Sequence, residues 1–220
     1  MANNKEHVTE KYVTGKGELT GFIALIKPST KFNKNGVYTA NILLDAKEGK
    51  EAEAKFKNVR TEQFKQYGKG TKVADLPIKP YEIVNEKTGE ATADPQGRYI
   101  LKTNSSAYIE NGKIGKRIPI INAKKQPVKN ISIGEGTIAR LGVTISGYSV
   151  AGKTGVSAKL GMVQIIDLVE YSGGGFSMDE FDEEDGFDGV GEDFTDDKID
   201  TSASEDDSVE VDEDDEEADF

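Results

Sequence analysis

The sequence predicts a mainly β protein: a small barrel with one inserted helix, followed by a disordered acidic tail. Three observations carry this expectation. Short β-rich apolar runs recur between glycine-rich turns, as in small closed β architectures. A single stretch switches to an apolar period of three and four residues. Beyond residue 172, Phe, Val and Ile are too sparse to offset the entropy of folding.

Taken in order, the N-terminal MANNKEHVTEKYVT is a polar arm without an apolar core of signal-peptide length. Residues 19–27 (LTGFIALIK) and 36–44 (GVYTANILL) read as a hairpin joined by the loop PSTKFNKNG. From Ala46 to Tyr67 the residues Ala52, Phe56, Val59, Gln63 and Tyr67 recur at helical spacing, with Gly68 and Gly70 as stop signals. Pro77, Pro80, Pro95 and NEKTGEATADPQG mark a loop region. Residues 98–106 (RYILKTNSS) and 116–121 (KRIPII) read as strands inside or after that loop region. In 136–149 the residues Ala139, Leu141, Val143 and Ile145 alternate with Arg140, Thr144, Ser146 and Tyr148, which gives one strand a core side and a polar side. After AGKTG, residues 156–171 are long enough to pair back along it.

Charge divides the chain in two. Residues 173–220 hold 14 Asp and 9 Glu against Lys198 alone, a net of −22, whereas residues 1–172 hold 27 Lys and Arg against 17 acids, a net of +10. Two regions follow: a binding domain over 1–172, long enough to bury about 70% of its unfolded surface, and a disordered tail over 173–220. The asymmetry points to an anionic partner for the body and an interaction role for the tail. With no cysteine, thiolate nucleophiles and cysteine-ligated zinc are excluded. No run approaches the roughly 20 apolar residues of a membrane span, so a soluble cytoplasmic protein is expected, with no cofactor.

Two motifs invite other functions. Gly147–Thr154 (GYSVAGKT) has the spacing of a Walker A loop, and IIDLVE (165–170) resembles a Walker B strand. A phosphate-cradling loop must lead into a helix, however. Here Gly155, Val156 and Gly161 favour a strand, so a hairpin turn is expected and a nucleotide hydrolase is the remote alternative. In DEFDEEDG (179–186), Phe181 and Glu183 stand where a calcium loop needs Asp or Asn. His7 is the only histidine, so no histidine cluster can form around it.

Single-stranded nucleic acid is held by a positive groove that tracks phosphates and by aromatic rings on which bases stack. Lys31, Phe32 and Lys34 place a ring among lysines in the first hairpin loop, either as a stacking platform or folded over the barrel end. Arg140 and Tyr148 share the polar face of one strand, where the ring either stacks or is half-buried. Tyr99 and Tyr108 flank Lys102; Tyr99 has core parity with Leu101. Lys116 and Arg117, near Lys113, and Lys124, Lys125 and Lys129 form further basic stretches, and Lys159 lies on the last strand. The helix lysines alternate with glutamates and read as a solvated face.

The layout resembles the single-stranded-DNA-binding proteins of lytic phages. The likeness rests on GVYTANILL, on TIARLGVTISGYS with VSAKLGMVQIIDLVEY, on the SGGGF boundary (172–176) and on the closing DEDDEEADF. It implies an OB-fold barrel without enzymatic activity that coats single-stranded DNA with little sequence preference in replication, recombination and repair. It also implies a tail that occupies the DNA groove when DNA is absent and docks replication proteins through Asp214, Asp215, Glu216, Glu217, Asp219 and Phe220. Bacterial tails of this kind carry a proline before the final phenylalanine. Ala218-Asp219-Phe220 departs from that pattern, which favours a phage's own DNA polymerase or helicase-primase as partner and a host-cytoplasm location. An acidic-tailed protein-interaction module is the alternative, and a homodimer is left open.

Overall fold

Five strands close on themselves. The computed structural model describes residues 7–31, 33–85, 87–129 and 131–170. Its elements in chain order are β1 (Thr9–Val13), β2 (Gly17–Ser29), β3 (Val37–Leu44), α1 (Ala46–Tyr67), β4 (Lys72–Val73), β5 (Ile78–Pro80), β6 (Glu82–Val84), β7 (Ala91–Ala93), β8 (Tyr99–Ser106), β9 (Ile109–Glu110), β10 (Lys113–Ile114), β11 (Ile120–Ile121), β12 (Ile138–Val150) and β13 (Lys153–Asp167). β3 pairs antiparallel with β2 and β8, β12 pairs antiparallel with β13 and β2, and β8 runs parallel to β13. The circuit β2-β3-β8-β13-β12-β2 is the Greek-key path of an OB barrel. Its two seams are thin: β8 meets β13 through Lys159↔Asn104, and β12 meets β2 at Ile138↔Glu18 and Ala139↔Gly17.

Alternation along the strands fills the interior. Tyr38, Ala40 and Ile42 of β3, Leu101 of β8, Leu141, Val143 and Ile145 of β12 and Ala158 and Leu160 of β13 are all buried. The helix spans Ala46–Tyr67, the boundaries that its apolar period predicts. Asp45 caps it by accepting from the amides of Lys47 and Glu48, and the Gly68 amide donates to the Phe64 carbonyl. Ala52, Phe56, Val59 and Gln63 face inward, and burying a ring such as Phe56 stabilises by about 1.5–3 kcal/mol. Gly49 lies against Tyr99: a Cβ there would stand 2.5 Å from the ring, so the close helix–strand approach requires glycine. Tyr99, half-buried on this contact, has the core parity expected of it.

Some elements differ from the expectation. The polar arm contains β1, which pairs along β12 from Thr9↔Ser146 to Val13↔Gly142. Only Tyr12 in it is partly buried, so ladder hydrogen bonds rather than an apolar period define the strand. The stretch 116–121 shortens to Ile120–Ile121, and Pro119 contributes only its carbonyl, which accepts from the Val163 amide. The loop region holds β5 and the β6–β7 hairpin. The boundary expected at residues 172 and 173, and the tail beyond it, lie outside the described residues.

Candidate nucleic-acid interface

The closed circuit places five strands' outward side chains on one continuous surface. Cα partners share a face, so Lys11, Thr144, Lys159, Asn104 and Thr39 form one row across β1, β12, β13, β8 and β3. A second row, Thr20, Asn41 and Lys102, crosses β2, β3 and β8. Strands lie about 4.8 Å apart, so polar and cationic side chains recur at that interval. The face of the second and third barrel strands, here β3 and β8, is the oligonucleotide-binding face of barrels with this topology.

The charges on this face differ from those on the helix. Lys55 pairs with Glu10, Lys57 with Glu53 and Lys65 with Glu62. Lys102, Lys159, Lys34, Arg117 and Arg140 have no ion-pair partner among the described residues. Three of the helix lysines are thus paired, two of them with helix glutamates, whereas Lys47 and Lys50 near the helix start, like the barrel-face cations, have no ion-pair partner among the described residues.

At the end of this face the β2–β3 loop and the segment after β8 are tied together. Gly36, at φ 68°, closes a turn by donating to Asn33, and Ala107 and Ile109 donate their amides to the carbonyls of Gly36 and Asn35. Between those anchors Tyr108 adopts φ 52° and is 63% exposed. Lys116 returns over the segment: its amide donates to the Ala107 carbonyl and its Nζ donates to Ser105 Oγ at 2.8 Å. Burial pushes the Tyr38 phenol up, and the charge of Arg117, the residue after Lys116, opposes that shift. Lys31, Lys34, Tyr108, Lys116 and Arg117 therefore gather here, while Lys102 and Lys159 lie on the sheet beside them. Phe32 lies outside the described residues, as do the tail residues Asp214, Asp215, Glu216, Glu217, Asp219 and Phe220.

Arg140 and Tyr148 share a face of β12 but stand eight residues apart, about 26 Å in an extended strand, so they do not form one subsite. Tyr148 is half-buried, and a Cβ on its cross-strand partner Gly155 would lie 2.7 Å from its Oη. The ring therefore lies across the glycine.

Phe22 is a ring that the apolar period conceals. It is 64% exposed and sits in an irregular stretch of β2 between the pairs Thr20↔Asn41 and Ala24↔Thr39, beside the outer residues of β3. The signal for it is Gly21, at φ 68°, within an otherwise apolar run, since a glycine inside a strand marks a bulge.

GYSVAGKT forms the end of β12, a two-residue turn and the start of β13. Ala151 and Gly152 both have positive φ, at 50° and 72°, as a tight hairpin turn requires, and a strand rather than a helix follows. The motif therefore lacks the loop-to-helix geometry of a nucleotide hydrolase. His7 is engaged by Gln63, whose Nε2 lies 2.8 Å from its Nδ1, and no group of three metal-ligating side chains occurs among the described residues. DEFDEEDG lies outside them. No described helix is long and apolar enough to cross a membrane.

The fold, set against solved structures, has counterparts of low sequence identity. Gp2.5, a single-stranded-DNA-binding protein encoded by bacteriophage T7, superposes with a TM-score of 0.52 at 15% identity, over 83% of this chain and 100% of that one. The barrel is similar in fold to those of phage single-stranded-DNA-binding proteins. The protein from bacteriophage Enc34 in complex with single-stranded DNA gives a TM-score of 0.50 at 14% identity, over 77% of this chain and 91% of that one. Its C-terminally truncated form gives 0.50 at 13%, over 76% and 88%. The sequence matches no protein-family model and no curated protein.

Proposed function

We propose that the chain is a non-enzymatic single-stranded-DNA-binding protein that coats DNA with little sequence preference. The observation that carries this reading is the outer face of the barrel. There Lys102, Lys159 and Arg117 lack carboxylate partners among the described residues, and the exposed rings Phe22 and Tyr108 offer surfaces on which any base can stack. The Enc34 protein of the same fold is seen with single-stranded DNA, which supports this ligand. Phosphates would follow the cations, and stacking tolerates sequence because every base has a π-face.

In the same reading the −22 tail competes with DNA for the body and carries a docking element, Asp214 to Phe220, for a phage replication protein such as a DNA polymerase or helicase-primase. The setting is DNA replication, recombination and repair in a host cytoplasm. The test is a titration with oligothymidylate at several salt concentrations. The affinity should fall with salt at a slope of about −0.7 per phosphate contact. Salt-independent binding, or equal affinity for duplex, rejects the proposal.

A further inference from the structure

Lys153, the lysine of GYSVAGKT, meets a second lysine. It is the Cα partner of Lys72 in the parallel β4–β13 pair, and Val150 stands opposite it on β12. Like charges directly opposite in a sheet repel. Among the described residues neither ammonium has an ion-pair partner.

The backbone nevertheless holds the two side by side. Lys72 donates its amide to the Gly152 carbonyl at 2.8 Å, and Ala74 donates to the Thr154 carbonyl at 2.9 Å. Beneath them the hydroxyls form a relay. Thr71 Oγ1 donates to the fully buried Thr154 Oγ1 at 2.8 Å, Thr154 Oγ1 donates in turn to Ser149 Oγ at 2.9 Å, and Ser149 donates to the Tyr67 carbonyl at the end of α1. The segment after the helix is thereby fixed to the turn.

One step along the same face lies a flat apolar surface. A Cβ on Gly155 would be 2.7 Å from both Ala74 Cβ and Tyr148 Oη, so Tyr148 and Ala74 both lie against Gly155. An aromatic ring laid over a strand glycine is a known stabilising device, and here its outer side remains partly open. The paired lysines therefore border a ring on the face that also carries Lys159, six residues further along β13 and about 20 Å away.

We infer that Lys72 and Lys153 form a phosphate-binding pair and Tyr148 a stacking surface, together a subsite for one nucleotide unit of a single strand that extends beyond the β3–β8 face. This rests on the single-stranded-DNA reading. The phosphate relieves the repulsion between the two ammoniums, and the adjoining base lies on the tyrosine. The lysine that imitates a Walker A residue in sequence is thus assigned a phosphate of a polynucleotide, with no bond made or broken.

The test compares oligothymidylates of about 4 and about 16 nucleotides, the limits of site size for one barrel of this kind. The proteins are the full chain and its Lys72→Gln/Lys153→Gln variant. The long oligomer should bind the variant more weakly, with a salt slope shallower by about 0.7 for each phosphate that the variant no longer neutralises. The short one, accommodated on the β3–β8 face, should bind both equally. Tyr148→Phe should retain long-oligomer affinity, and Tyr148→Ala should lose roughly 5- to 150-fold. The melting temperature of the lysine variant should not fall, since a repulsive pair is removed. Unchanged long-oligomer binding, or equal loss for both lengths, overturns the subsite and leaves the DNA-binding reading standing. Failure of the unmodified chain to bind either length overturns both.

Discussion

The Glu135 carboxylate latches Gly21: one oxygen accepts from the Gly21 amide at 2.8 Å and from the Thr20 hydroxyl at 2.5 Å. The two bonds tie the segment before β12 to the point where β2 leaves regular register, the residue before exposed Phe22. Replacing Glu135 with Ala removes both acceptor contacts and should loosen the presentation of Phe22. The expected outcome is weaker oligothymidylate binding, although loss of a negative charge alone would strengthen it. Tighter binding would show that the latch has no positioning role.

The same latch gives a pH dependence. Hydrogen bonds from Thr20 first and Gly21 second hold the Glu135 carboxyl below its ordinary range. For a depressed carboxyl the folded state binds its proton less readily than the unfolded state. Its contribution is therefore complete above the ordinary carboxylate range and is lost as pH falls through the lowered value. Thermal unfolding of the parent and Glu135→Gln across that acidic window should show a steeper acid loss for the parent.

If Phe22 is a stacking ring, Phe22→Ala should cost roughly 1–3 kcal/mol of single-strand affinity while thermal stability stays nearly unchanged, because the ring is largely exposed. Phe32→Ala, in the neighbouring loop, makes a companion measurement. A fall in melting temperature without a loss of affinity would assign either ring to packing.

What was legible in the sequence and what was not follows from how each element is stabilised. Helix α1 could be read to its boundaries because Ala52, Phe56 and Val59 obey the period of the face they bury, with Gly68 just past its end. The inward and outward sides of β12 could be read for the same reason. β1, β4 and the β6–β7 hairpin bury little apolar surface, so nothing in their composition announces them. Phe22 looks like core in an apolar run, and only the bulge at Gly21 turns it outward. Arg140 and Tyr148 share parity along β12, which sequence reveals, but parity is blind to distance along a strand.

Tyr38 offers a stability test within the core. Its side chain is 1% exposed, its hydroxyl has no hydrogen-bond partner among the described residues, and burial pushes its phenol up. A buried polar group left unpaired costs about 1–3 kcal/mol. Tyr38→Phe should therefore leave the melting temperature unchanged or raise it, whereas Tyr38→Ala, which opens a cavity, should lower stability by about 3–5 kcal/mol. A marked loss for Tyr38→Phe would reveal a partner for the hydroxyl.

The tail prediction follows from charge and tethering. A segment of −22 joined to a body of +10 acts at a high effective concentration, because linkage makes its encounter with the body intramolecular. Removing residues 173–220 should tighten oligothymidylate binding at low salt. The gain should shrink as the Debye length contracts from about 30 Å at 0.01 M to about 3 Å at 1 M. Deleting Phe220 alone leaves the net charge of the tail almost unaltered, so most of the electrostatic competition should persist. That deletion should instead weaken docking to a replication protein, where the ring can fill an apolar pocket. If truncation to residues 1–172 leaves low-salt affinity unchanged, and loss of Phe220 leaves binding to the proposed replication-protein partners unaltered, the tail neither competes nor docks.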